Sequence, residues 1–360
     1  MNNHAEDFAE QFCVALFVIV ALAFASPVSG HHSVAGLYDS DRVIEIEGVV
    51  HSVSWRNPHT HYTIEVVQET GETVEWRIEG GSLGLLRTRG LVPGFVQVGD
   101  QVRIAGDSSR RGLPEMFAHN MLLEDGQEVL LTVRAQPRWA GDLLQPTFDE
   151  ATAEKALGVA EGIFRVWSTV LGDPASFPMF KTDDCVGSST MCRSNYPPLT
   201  EAAQTIYAEW GLHTNPFLGC EPKGVPNIMD TPLPIEFVRQ GDNILLRLEE
   251  HDTERLIHMS LDHSVRPAAY SAYGFSTGRW AGSSLVVQTT NIDTPYLTIN
   301  GIPQSREISL VERFSVNESE DQLDYTILIT DPMTFTEPFE LTRYLIWKPE
   351  ILVRPFECQE

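Results

Sequence analysis

From Pro234 to Trp347 the chain repeats one pattern, short runs of alternating apolar and polar residues at intervals of about ten residues. The runs are PIEFVRQ, NILLRLEEH, RLIHMS, STGRWAG, SLVVQTTN, EISLVERFSV, DQLDYTILITD and FELTRYLIW, and turns such as QGDN, AGSS and NESED separate several of them. Alternation sends successive side chains to opposite faces of a strand, so each run has one face to bury. Eight such runs in succession predict an up-and-down antiparallel barrel of lipocalin type, whose interior can hold one small ligand; a flattened sandwich is the alternative.

The same period appears earlier. RVIEIEGVVHSVSW sets Ile44 and Ile46 against Glu45 and Glu47, with Gly48 placed for a bulge. THYTIEVVQ, TGE and TVEWRIEG read as a hairpin, SLGLLRTRG as a short helix closed by Gly90, and VGDQVRIAGD and QEVLLTVRA as two further strands. Five strands with a helix between the third and fourth is the order of an OB-type barrel. The chain is therefore expected to be mainly β. Residues 31–135 form an OB-type domain, 136–217 a Pro-rich connection with two helical stretches, TFDEATAEKALGVAEGIFRVW and LTEAAQTIYAEWG, and 218–360 the lipocalin-like antiparallel barrel.

Residues 1–30 read as a secretory signal around the apolar segment CVALFVIVALAFA, although MNNHAEDFAEQF lacks the usual positive charge; an uncleaved anchor is the alternative. Cleavage fits after Ala25 or after Gly30, and only the second leaves His31 as the first residue. Removing these residues, which hold three acids and no bases, moves the formal net charge from −25 to −22. Nucleic acid and other polyanions are excluded as partners, because neutralising phosphates takes clustered Lys and Arg. No stable membrane insertion is expected once the signal is gone, and the oligomeric state is left open. Cys185, Cys192, Cys220 and Cys358 remain in the mature chain, an even number that reads as two disulfides in a periplasmic or secreted protein. Of three connectivities the favoured one is Cys185–Cys192 with Cys220–Cys358.

Three groups of residues bear chemistry. In NPHTHYTIEV, Tyr62, Ile64 and Val66 share an apolar face and His59 and His61 the other, a spacing from which two imidazoles can converge on one metal ion. With His31 and His32 they make a candidate copper or zinc site, which a free amine on His31 would extend; the alternative is a set of hydrogen-bonded polar-face histidines. In the barrel, Glu312 shares a face with Leu310, Phe314 and Val316, and Arg343 shares one with Leu341, Leu345 and Trp347. A charge among inward apolar neighbours persists only when paired or liganded, so Glu312 and Arg343 are expected to meet inside the barrel. There Arg343 could hold an acidic head group, with Tyr325 and Trp347 lining the site, or the pair could be purely structural. RLEEHDTERLIHMS reads mostly as a solvated hairpin tip, although His258, with Asp331 or Glu312, is a candidate acid–base group.

The stretch HHSVAGLYDSDRVIEIEGVVHSVSWRNPHTHYTIEV resembles the opening of a family of exported bacterial proteins of unknown function. Its members begin with His-His after the signal, followed by a Gly-x-Val strand and an Asn-Pro-His turn. CEPKGVPNIM, ERLIHMSLD, GFSTGRWAGSSLVVQTT and ITDPMTF resemble a barrel region of related chains, except that Ala281, Ser283 and Ser284 stand where acids are expected after Trp280, which weakens any catalytic role for that turn. The resemblance implies a periplasmic location and no activity. Two functions follow as expectations: a binding protein for a small apolar or amphipathic ligand, or an enzyme acting on a terpenoid- or steroid-like molecule by acid–base chemistry of His258, Asp331 or Glu312.

Overall fold

The computed structural model of the protein describes residues 34–180, 195–211, 220–259 and 269–358. The expected signal segment, His31, His32 and the expected Cys185–Cys192 pair lie outside the described residues. After a single turn, α1 (Val34–Leu37), comes β1 (Tyr38–Ser54), whose first part pairs antiparallel with β4 (Gln101–Ser109) and whose last part pairs with β2 (His61–Val67). Register shifts between Asp39 and Val43 and between Val50 and Ser52 bend this 17-residue strand enough to serve both neighbours. Gly48 lies where β2 comes closest. A Cβ there would stand 2.3 Å from the Glu65 carbonyl oxygen, so the approach requires glycine.

β2 pairs with β3 (Thr73–Glu79), and the helix α2 (Leu83–Thr88) follows. Its N-cap is Ser82, whose side chain accepts from the Leu85 N–H at 3.2 Å. β5 (Glu115–Leu123) pairs antiparallel with β4 and with β6 (Glu128–Leu130), and parallel with β3. The result is a six-stranded sheet in the order β3-β2-β1-β4-β5-β6, with β5 returning to β3. The sequence expectation differs here. QEVLLTVRA supplies only the short β6, and the fifth strand is EMFAHNMLL, whose alternation is masked because Glu115 and Asn120 are buried polar groups satisfied by side-chain partners.

In the connection, α3 (Glu150–Val159) is capped by Asp149 and α4 (Glu201–Glu209) by Thr200. Between them lies β7 (Val166–Ser168). All eight expected runs are strands: β8 (Ile235–Gln240), β9 (Asn243–Leu248), β10 (Thr253–His258), β11 (Phe275–Ala281), β12 (Ser284–Thr290), β13 (Ser309–Val316), β14 (Gln322–Thr330) and β15 (Phe339–Trp347). The barrel nevertheless has nine strands, because β7 sits between β15 and β8 and closes it. An odd number cannot alternate direction around a whole ring, and the parallel pair is β10 with β11. Three residues are too few to register as alternation, which is why the sequence does not reveal β7.

The interior is filled. Trp167, Phe237, Leu246, Leu285, Phe314 and Ile327 are each at most 2% exposed, and the 3-10 turn Asn227–Asp230 adds Ile228 and Met229 to the same core. Burying each such side chain contributes roughly 1.5–3 kcal/mol. A smaller cluster of Leu85, Leu233 and Phe356 joins α2 to the barrel and to the C-terminal tail. The tail is tied down by the Cys220–Cys358 disulfide.

Candidate functional site

Strand parity turns both expected charges inward: Glu312 is 0% and Arg343 5% exposed. They do not meet. Glu312 takes Arg255 instead, end-on, with Nη1 3.1 Å from Oε1 and Nη2 2.6 Å from Oε2. Tyr325 donates its hydroxyl to Oε1 at 2.9 Å while its ring stacks on Phe314, and Ser276 and Thr289 complete the surroundings. Arg255 shares its inward face with Thr253 and Ile257 on β10, an alternation legible in TERLIH but obscured by the charges around it. Arg343 is held by carbonyls: Nη1 donates to Met229 O and Thr231 O, each at 3.0 Å, and Nη2 to Thr169 Oγ1 at 2.5 Å. Burial pushes the neighbouring Asp230 up to about 6, although Arg343 and the Met179 and Phe180 N–H groups favour its ionised form. The Nη atoms of both barrel arginines are thus engaged by protein, while the Nε of each is buried without a hydrogen-bond partner.

The structure separates the three acid–base candidates. His258 shares the outward parity of Leu256, opposite to Arg255, and stacks on Phe275 at 4.9 Å. Asp331 accepts from Ser305 N at 2.8 Å, Ser305 Oγ at 2.6 Å and Thr334 Oγ1 at 2.9 Å, and so staples the loop that follows β14. Glu312 faces Ile327 across β13 and β14, four residues and about 13 Å along the strand from Asp331. Trp347, a candidate ligand-lining side chain, has its ring covered by the Arg165 guanidinium at 4.3 Å.

Among the histidines, β2 begins only at His61, so His59 lies before the strand rather than on its face. His59 Nδ1 is 2.9 Å from the Gly80 carbonyl, which can only accept, so that nitrogen donates there, with Glu79 Oε1 3.5 Å away. The His59 and His119 rings each lie edge-on to Phe117. His119 is bonded at both nitrogens, to Asp107 at 2.8 Å and Thr132 at 3.1 Å. Among the described residues no group of three or more His, Cys, Asp or Glu is arranged to hold a metal ion.

The acidic turn after β9 corrects the sequence reading. Instead of a solvated tip it is a buried joint, with Glu249 1% and Glu250 8% exposed and with His251 and Asp252 at φ values of 57° and 50°. Glu249 Oε1 lies against Gly84 of α2, where a Cβ would come within 2.3 Å, and has Arg87 at 3.7 Å; Oε2 accepts from the Arg354 N–H at 3.1 Å. Burial pushes this carboxyl up to about 7, against the pull of Arg87 and Arg354 and with a small push from Asp252. A carboxyl whose folded value exceeds its unfolded one stabilises the fold most when protonated. Its contribution is therefore full below about pH 4.5 and falls as pH rises through 7, by at most about 3 kcal/mol. Glu249→Gln is expected to unfold at higher urea than wild type at pH 8 and at nearly the same urea at pH 4.5. A gap of equal size at both pH values would remove the assignment.

Between the six-stranded sheet and the barrel lies a cavity of about 390 Å³. α2 and the residues after it contribute Thr88, Arg89 and Leu91, β6 contributes Leu130, and the barrel side contributes Leu171 and Ile346, with Lys348 just beyond β15. Long-range packing creates this cavity, and nothing local in RTRG or IWKP announces it. One segment of the chain has a counterpart. Residues 18–116 match the model of a family of unknown function, DUF6152. No curated protein matches the chain. The DUF6152 segment runs from the apolar N-terminal stretch into β5 and supplies the α2 wall of the cavity, whereas the opposite wall comes from outside it. Among the described residues no helix is long and apolar enough to cross a membrane.

Proposed function

We propose that this is an exported, periplasmic binding protein for a small apolar or amphipathic ligand, and that the ligand occupies the seam between sheet and barrel rather than the barrel axis. The observation that carries this reading is the cavity, whose volume falls in the range of small-molecule sites and whose wall sets leucine and isoleucine side chains beside polar ones such as Arg89, Gln145, Thr169 and Lys348, a mixture that suits an amphipathic molecule. The barrel axis is the poorer host, because its side chains fill it, Glu312 is paired with Arg255, and the Arg343 Nη atoms are taken by protein oxygens. Export rests on the apolar segment at 13–25 and on the Cys220–Cys358 disulfide, a bond at home in an oxidising compartment. We read the ring of β1 to β5 as an OB-type barrel and the nine-stranded barrel as lipocalin-like, both serving as scaffold for the seam.

The test is a large side chain at Leu143, which lines the cavity from a position 39% exposed and so carries little core packing. Wild-type protein is expected to raise the fluorescence of the apolar probe N-phenyl-1-naphthylamine, and Leu143→Trp to weaken that binding about tenfold or more while leaving the unfolding midpoint unchanged. Undiminished binding by the variant would place the probe elsewhere and end the reading.

A further inference from the structure

Arg89 and Lys348 stand on the wall of the seam cavity without a carboxylate in ion-pair contact. Arg89 gives Nη2 to the carbonyls of Thr132 at 2.7 Å and Val133 at 3.4 Å, and its Nε is buried without a hydrogen-bond partner. Lys348 has the Thr88 carbonyl at 3.4 Å. Among the described residues neither forms a salt bridge, in a chain with 50 acids and 25 bases. Burial lowers Arg89 to about 10 and draws Lys348 down as well, with Arg89 adding repulsion at Lys348 and Glu350 opposing it without an ion pair. The acid on the same wall is already committed. Glu128, 1% exposed, accepts from Asn120 Nδ2 at 2.6 Å and from the N–H groups of Arg138 and Trp139.

Two neighbouring, partly buried cations without an ion-pair partner leave the cavity wall ready to take a counter-charge. A carboxylate supplies it, a neutral head group leaves the cations unanswered, and an ammonium adds a third positive charge. Leu91, Leu130, Leu171 and Ile346 supply the apolar wall for the rest of such a molecule. Resting on the ligand-binding reading above, we propose that the seam cavity selects a monomeric carboxylate with an apolar body, of the medium-chain fatty-acid class, with its head group held by Arg89 and Lys348.

Displacement of the apolar probe by decanoate, decanol and decyltrimethylammonium, each below its micellar concentration, tests this. Decanoate is expected to compete about tenfold more strongly than decanol, and decyltrimethylammonium least, with the gap narrowing as salt is raised. Lys348→Gln should weaken decanoate about tenfold and leave decanol unchanged, while Arg89→Lys, which keeps the charge, should retain the preference for the acid. Equal displacement by all three compounds overturns the head-group assignment and leaves the binding reading standing; no probe binding and no displacement by any of them removes both. A lower thermal midpoint in Lys348→Gln with the head-group preference intact makes Lys348 a staple for the end of α2 and overturns the assignment. Sedimentation with phosphatidylglycerol vesicles in place of binding to monomeric decanoate does so too.

Discussion

Arg255→Met is expected to destabilise the protein by about 3–5 kcal/mol, because it strands a charge at the centre of the barrel. Glu312 is 0% exposed, and without the guanidinium it keeps the Tyr325 hydroxyl and a Thr289 oxygen at 3.5 Å. Met229 Sδ, 3.0 Å from Nη1, and the Ser276 and Thr289 hydroxyls lose a donor in the same step. The double variant Arg255→Met, Glu312→Leu removes both charges and should recover most of the loss, leaving chiefly the Tyr325 hydroxyl without its acceptor. Urea unfolding of the two variants reads the difference directly. A double variant no more stable than Arg255→Met alone would mean that packing, not the stranded charge, accounts for the loss.

The second large effect lies at the disulfide. Cys220–Cys358 closes a loop with a sequence separation of 138 and anchors a tail that threads the joint between sheet and barrel. The Asn57 side-chain amide donates to the Phe356 carbonyl, the Phe356 N–H bonds Asp252 Oδ1 at 2.9 Å, and the Phe356 ring, 3% exposed, packs with Leu85 and Leu233. Chain entropy alone assigns a loop of that length a stabilisation of about 5 kcal/mol, and measured losses on removing native disulfides run at about 2–5 kcal/mol. Cys220→Ser with Cys358→Ser should therefore lower the unfolding free energy read from urea titration by about 2–5 kcal/mol and expose the joint to protease first. A reduced protein as stable as the oxidised one would show that the hydrogen bonds and Phe356 hold the tail without the bond.

How much of this could be read in advance depended on the range of the interactions involved. Alternation is local, so the eight barrel runs and the inward parity of Glu312 and Arg343 were visible in the chain, and so was the hairpin of β2 and β3. Partner choice is not local. Glu312 meets Arg255 because their strands face one another across a closed ring, whereas Arg343 ends at the carbonyls of the plugging turn Asn227–Asp230. The same limit explains the acidic turn: Glu249 and Glu250 read as solvated by composition, but α2 and the tail meet Glu249, and Lys223 pairs with Glu250. β5 is hidden in the sequence because its buried polar groups break the period, and β7 because it is three residues long. The cavity is the extreme case, assembled from segments as far apart as Thr88 and Lys348.

A crystal of the protein with a terminally brominated decanoate locates the ligand. A single anomalous bromine peak is expected among Leu91, Leu130, Leu171 and Ile346, with the carboxylate between Arg89 and Lys348. A peak inside the barrel near Arg255 and Glu312, or no peak at saturating ligand, would contradict that placement.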